Sequence, residues 1–240
     1  ERILTISRYY AEQLPRWHGA HLPPVAMISG GVDAARFCPS ADRAEVRTKL
    51  GLKPEEFLFL AVRRLDPRMG LLALVDGFAQ SAAGFPQARL WLVGNGPQRD
   101  TLQARLESLG LEDRVRLLGF VPEADLSSLF NAADCTVMPS LDLEGFGLAT
   151  VESLACGTPV IGSRAGATPE LLAPLSAELL FEAGDANSLA AKLKAVLANP
   201  ASLPRLAACR DYAMANFSWE RPVTAFEQCH RELLLEGGGA

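Results

Sequence analysis

The stretch LEGFGLATVESLACGTPVIGSRAG, residues 143–166, decides how this chain is read. Two glycines flank Phe146, an apolar-periodic run follows, and Cys156-Gly157-Thr158-Pro159 closes it ahead of the β-branched pair Val160-Ile161. That order predicts a loop, a short helix, a turn and a buried strand. Its two carboxylates lie at different heights. Glu144 is in the loop, and Glu152 sits about one and a half turns into the helix at ~3.6 residues per turn, so both can face one pocket. Gly145 and Gly147 carry no side chains, which lets a ligand come up to backbone N–H groups at a helix start, where free donors and the macrodipole favour an anion. An acceptor, an anion cradle and a second acceptor suit a sugar, a diphosphate and a ribose. For a lone pair of glutamates the ordinary reading is one capping carboxylate and one solvated one; the words around this pair shift the balance.

Outward from that stretch, apolar strand-like runs at 57–62, 88–93, 115–118, 134–138 and 160–161 alternate with helical patterns at 42–50, 71–82, 102–109 and 122–131. Alternation of this kind predicts an α/β fold, a Rossmann-like doubly wound parallel sheet covered on both faces. Upstream, a strand at 3–7 leads into a helix from Ser7 to 14, Pro15, Pro23 and Pro24 break regularity, and a second strand at 25–29 ends in Gly30-Gly31-Val32-Asp33. Downstream come an edge-like strand at 179–181, a helix at 186–197 capped by Asp185 and ended before Pro200, and helical stretches at 203–216 and 219–235. The turn Gly94-Asn95-Gly96-Pro97 lacks the third glycine of a dinucleotide fingerprint, since position 99 is Arg; hydride chemistry with NAD is a weak reading.

Composition narrows the classes. The chain has 240 residues, 49% of them hydrophobic, which is enough for a sizeable core. A net charge of −5 gives no basic footprint for nucleic acid, and no polybasic run suggests an anionic membrane surface. Phosphates must then be met locally. No apolar run approaches the ~20 residues of a membrane span, and no signal-peptide pattern appears. Five cysteines, scattered without CxxC spacing, read as buried thiols of a cytoplasmic protein, and three histidines without ligand-spaced partners make a metal site an unpromising reading. The chain starts at Glu1 inside a strand-like run, which reads as a piece of a longer protein.

The central stretch resembles the E-x7-E signature of retaining glycosyltransferases with the GT-B fold, most closely glycosyltransferase family 4. Glu144 and Glu152 match the two glutamates, Gly145-Phe146-Gly147 the donor loop, and Ala155-Cys156-Gly157-Thr158-Pro159-Val160 the segment after the helix. The likeness extends from Ile3 to about Leu234 and takes in Arg36-Phe37-Cys38-Pro39, the GxGP turn, Gly119-Phe120-Val121-Pro122 and Phe217-Ser218-Trp219. It implies three parts: residues 1–38 as the end of an N-terminal domain and its linker, 39–216 as the donor-binding domain, and 217–240 as a crossover helix and tail.

The resemblance also implies roles. Glu144 would meet the donor sugar's hydroxyls and Glu152 the ribose hydroxyls, with backbone amides of Phe146, Gly147, Leu148 and Ala149 near the sugar and diphosphate and Gly145 in the same loop. Arg64 matches an arginine on the diphosphate. The lysine usual five residues later is Met69 here, which carries no charge and donates no hydrogen bond. Adjacent Arg68 either supplies the second cation, since guanidinium binds phosphate bidentately, or is a solvated turn residue. Gly119, Phe120 and Val121 would lie at the nucleobase, although Phe120 and Val121 read equally well as plain core. No cofactor and no metal is expected. The implied function is transfer of a sugar from a UDP- or GDP-linked donor to an acceptor hydroxyl, with Glu144 and Arg64 as the catalytic residues. Acceptor contacts would belong to an N-terminal domain missing from this chain, so the isolated piece is expected to bind nucleotide and transfer poorly. A sugar-nucleotide epimerase of the same fold and a non-catalytic nucleotide-binding relic are the alternatives, Met69 being the best support for the relic.

Overall fold

The computed structural model describes residues 1–204 and 206–237. Strand β1 (Ile3–Thr5), helix α1 (Arg8–His18) and strand β2 (Val25–Met27) form a small unit in which the two strands pair in parallel. The main body then alternates: α2 (Arg43–Lys49), β3 (Phe57–Val62), α3 (Leu71–Ala82), β4 (Ala88–Val93), α4 (Arg99–Leu109), β5 (Val115–Gly119), α5 (Glu123–Ala132), β6 (Cys135–Met138), α6 (Leu148–Ala155), β7 (Val160–Ser163), α7 (Thr168–Leu172), β8 (Leu180–Phe181), α8 (Ala186–Ala198), α9 (Leu206–Phe217) and α10 (Glu220–Gly237). The predicted strands and most helices are present within a few residues of the expected bounds.

Six strands make one parallel sheet in the order β5-β4-β3-β6-β7-β8. Because it is covered on both faces, its central strands read as unbroken apolar runs, and Leu58, Phe59, Leu60 and Ala61 of β3 are wholly buried. Phe59 meets Phe78 of α3 edge-on, with ring centroids 6.4 Å apart, in the arrangement that aromatic quadrupoles favour. The chain winds outward from β3 through β4 to β5, then returns to place β6 on the other flank of β3. Between β3 and β6 the winding direction reverses, and open α/β sheets place ligands in the crevice outside the carboxyl ends of the strands at such a point.

Two local features depart from the sequence reading. Helix α1 does not stop at Pro15 but runs through it to His18, although an internal proline costs a helix roughly 3 kcal/mol. The start of α1 is unusually well held. The Ser7 side chain accepts from the Tyr10 N–H at 3.2 Å, and the Glu170 carboxylate accepts from the Arg8 and Tyr9 N–H groups at 3.0 and 2.6 Å. Three otherwise orphaned donors at the positive end of the helix are thereby satisfied. The second feature concerns Val32 and Phe37, which belong to the core of the main body, Phe37 packing edge-on against Phe130 at 6.0 Å.

Candidate functional site

The carboxyl ends of β3, β6 and β7 converge on one carboxylate. Glu144 is buried, and its carboxylate accepts from the Ser140 hydroxyl at 2.9 Å and from Nη2 of Arg63. Arg63 follows β3 directly, Ser140 lies just past β6, and the Ser140 carbonyl accepts from the Ser163 hydroxyl at the end of β7 at 2.5 Å. The Glu144 backbone is fixed too, its carbonyl accepting from the Ala167 N–H at 2.8 Å.

Two glycines allow this convergence. Gly94 has φ +130°, and a Cβ there would lie 2.0 Å from the Arg63 carbonyl oxygen; Gly70 has φ +69°, and its Cβ would lie 1.9 Å from the Pro139 carbonyl oxygen. Neither position accepts a side chain. The turn after β3 is thus drawn against β4 on one side and β6 on the other, with the Leu141 N–H donating to the Arg68 carbonyl at 2.8 Å.

Arg63 is the residue that sequence reasoning missed. Its side chain is only 6% exposed, against 11% for Glu144. Nη2 donates to Ser140 Oγ at 2.5 Å and to Glu144 and lies 2.9 Å from Met69 Sδ, whereas among the described residues Nη1 has only Met138 Sδ at 3.9 Å and Nε has no partner. A buried donor left unmade costs about 1–3 kcal/mol. Arg64, the residue singled out from the sequence, is exposed. Among the described residues its guanidinium has no hydrogen bond or ion pair. Arg68 is exposed, and its Nη1 donates to the Leu143 carbonyl at 3.2 Å; Met69 is buried beside Arg63.

The loop from β6 to α6 differs in one respect from the open cradle expected of its glycines. A Cβ on Gly145 would lie 2.8 Å from the Tyr10 ring, so that side of the loop is already occupied by α1. The Tyr10 hydroxyl donates to the Leu143 carbonyl at 3.4 Å, and the Tyr9 hydroxyl to Asp142 at 2.8 Å. Leu143 holds φ +53°, a conformation uncommon for a bulky residue and frequent at ligand-contacting turns. Phe146 is buried against Phe217 at 5.9 Å, so of this residue a ligand could meet only the backbone. Gly147 precedes α6, whose first turn holds the exposed Leu148 and the half-buried Ala149.

Glu152, on α6, is half-buried. Burial pushes its carboxyl up to about 7, Glu123 adds to the rise, and Arg36 opposes it. Its charged neighbours are therefore the start of α5 and the Arg36 turn. At the end of β5, Gly119 takes φ +70°. Phe120 is 73% exposed and so is not core, whereas Val121 packs partly against the core. These residues line the carboxyl edge of the sheet in the order β5, β3, β6.

Such a set of side chains along the carboxyl edge of a doubly wound sheet suits a phosphorylated ligand. The model of the family glycosyl transferases group 1 matches residues 42–215. The chain belongs to that family. Among curated relatives, the chain is 33% identical over 228 residues to the GDP-mannose-dependent monoacylated alpha-(1-6)-phosphatidylinositol monomannoside mannosyltransferase of Corynebacterium glutamicum, covering 91% of the chain and 59% of the relative. Among solved structures it is similar to sucrose-phosphate synthase from Thermosynechococcus elongatus, with TM-score 0.86, 32% identity and coverage of 98% and 59% of the two chains. It is also similar to Anabaena Alr3699/HepE in complex with UDP and glucose, with TM-score 0.83, 26% identity and coverage of 97% and 62%. The chain spans about half the length of the curated relatives it matches.

Elsewhere, no helix among the described residues is long and apolar enough to cross a membrane. The five cysteines are free, and burial pushes the Cys156 and Cys209 thiols up to about 12, leaving them inert as nucleophiles.

Proposed function

We propose that this chain is the donor-binding half of a retaining, family 4 glycosyltransferase that moves a sugar from a UDP- or GDP-linked donor to an acceptor hydroxyl in the cytoplasm. The observation that carries the reading is the Arg63, Ser140 and Glu144 cluster at the switch point of the sheet, flanked by the unengaged guanidinium of Arg64. In this reading Glu144 receives the donor sugar's hydroxyls, and Glu152 the ribose. Arg64 meets the diphosphate together with the amides at the start of α6, while Arg68, exposed beside it, is held on the Leu143 carbonyl. The segment Gly119, Phe120 and Val121 borders the base. Leaving-group charge is stabilised by these fixed cations and dipoles, preorganised before reaction, with no metal ion and no cofactor. UDP in one structural neighbour and the GDP-mannose dependence of one relative support the two candidate donors.

The acceptor site and the remaining wall of the cleft would come from an N-terminal domain. Leu4, Ile6, Val25 and Met27 on the small β1–β2 unit and Trp219 on the crossover are large apolar side chains left exposed, which supports a further domain seated there. The chain alone then binds nucleotide and transfers sugar poorly. Calorimetric titration with UDP, GDP and ADP tests the reading. One nucleotide should bind selectively, and Arg64→Ala and Glu152→Ala should each weaken it by about 1.5 kcal/mol, the scale of a charge-assisted contact. Absence of binding by all three at millimolar concentration would sink it.

A further inference from the structure

Position 69 offers the site no cation, and Arg68 has turned outward onto the Leu143 carbonyl. Beside Met69, however, stands a guanidinium that already occupies the switch point. We propose that Arg63 is the second diphosphate-binding cation of this chain, taking over the charge that Met69 cannot carry; the assignment rests on the donor-site reading above.

Three observations carry it. First, Arg63 sits directly at the carboxyl end of β3 and is buried against Ser140 and Glu144, so it lies at the reacting edge of the sheet rather than in its core. Secondly, its donors are incompletely used. Nη2 meets oxygens, Nη1 has only a distant thioether and Nε has nothing, although the side chain is too buried for water to serve them freely. A guanidinium has five N–H donors in a planar fork matched to phosphate, and phosphate oxygens would complete the set. Thirdly, Met69 Sδ lies 2.9 Å from Nη2. A thioether tolerates the guanidinium there, whereas a lysine would press a second cation against it. Residues 63 and 69 thus behave as one exchangeable unit: the cation enters from 63 because 69 has given it up.

The exchange is directly testable by calorimetry with UDP, UMP, GDP and GMP. Arg63→Met should weaken the diphosphate that wild type binds by tenfold or more and change the matching monophosphate by less than threefold. Met69→Lys alone should not tighten either. The double variant Arg63→Ala/Met69→Lys should recover diphosphate affinity to within about threefold of wild type, which also serves as the decisive variant if Arg63→Met does not fold. Diphosphate affinity unchanged in folded Arg63→Met, or no recovery in the folded double variant, overturns the assignment alone. Wild type that binds none of the four nucleotides overturns the donor-site reading and the assignment with it.

Discussion

Strand β6 carries an arginine-bound carboxylate at each end, and the two clusters differ in how completely they are satisfied. At the amino end, Asp134 accepts from Arg43 Nη2 at 2.6 Å, Arg47 Nη1 at 3.0 Å and the Leu58 N–H at 2.7 Å. Both arginines also reach backbone carbonyls, Arg43 those of Asn131, Ala132 and Ala133, Arg47 those of Ala132, Lys53 and Glu56, and among the described residues neither leaves a fully buried nitrogen without a partner. Past the carboxyl end, Arg63 holds Glu144 with its Nε unpartnered and Nη1 facing only sulfur. The first cluster is closed and ties α2 to the sheet edge. The second is left with spare donors beside an exposed Arg64 that has no ion pair among the described residues. A buried donor left short of partners calls for an explanation, and a ligand site is one.

The comparison breaks first at Arg47. Arg47→Met strips a 7%-exposed side chain from Asp134 and three carbonyls and should cost about 3 kcal/mol, a fall in Tm of roughly 6–12 °C for a domain of this size. Nucleotide affinity should stay within about twofold; a tenfold loss would mean that the amino-end cluster is functional after all. At the other end, Glu144→Gln keeps the shape and removes the charge. It should weaken UDP-glucose or GDP-mannose about tenfold, the scale of hydrogen bonds to a charged group, while bare UDP or GDP changes little. Equal weakening of sugar nucleotide and bare nucleotide would place Glu144 away from the sugar.

Much of the architecture was legible because parallel strands buried on both faces leave unbroken apolar runs, and Phe57–Val62 and Ala88–Val93 lie as predicted. The same double burial hid the choice between Arg63 and Arg64: with no alternation along β3, nothing local says which of two adjacent arginines turns inward. That Glu144 lies in a loop and Glu152 on the helix after it was legible from spacing and context. That Tyr10 fills the space above Gly145, or that Glu170 caps a helix 162 residues upstream, depends on contacts that no window of sequence contains. Pro15 misled for the opposite reason, since a strong local rule was overridden by a helix start tied down from elsewhere.

Glu152 sharpens the contrast through pH. Burial pushes its carboxyl up to about 7 in the folded protein, against an ordinary value of 4.5. Between those values the folded state holds a proton that the unfolded state has released. Stability therefore falls as pH rises from about 4.5 to 7 and is flat above. Glu152→Gln should abolish that slope, gaining about 1–2 kcal/mol on wild type near neutrality once solvent screening is allowed for; parallel stability curves for the two proteins from pH 5 to 8 would refute the burial. The smallest effect is expected at Tyr9. Tyr9→Phe removes an exposed hydrogen bond to Asp142 and should cost no more than about 0.5–1 kcal/mol, leaving Tm within a few degrees.

Hydrogen exchange with and without saturating UDP or GDP asks the central question of the two ends at once. A cavity of about 530 Å³ lined by Arg43, Asp134, Thr158 and Asn199 lies at the amino end, so that end has room for a ligand. Nucleotide should slow exchange in peptides spanning 62–72 and 139–152 and leave those spanning 40–56 and 197–204 unchanged. Protection confined to the amino-end peptides would contradict the assignment of the site to the carboxyl edge of the sheet.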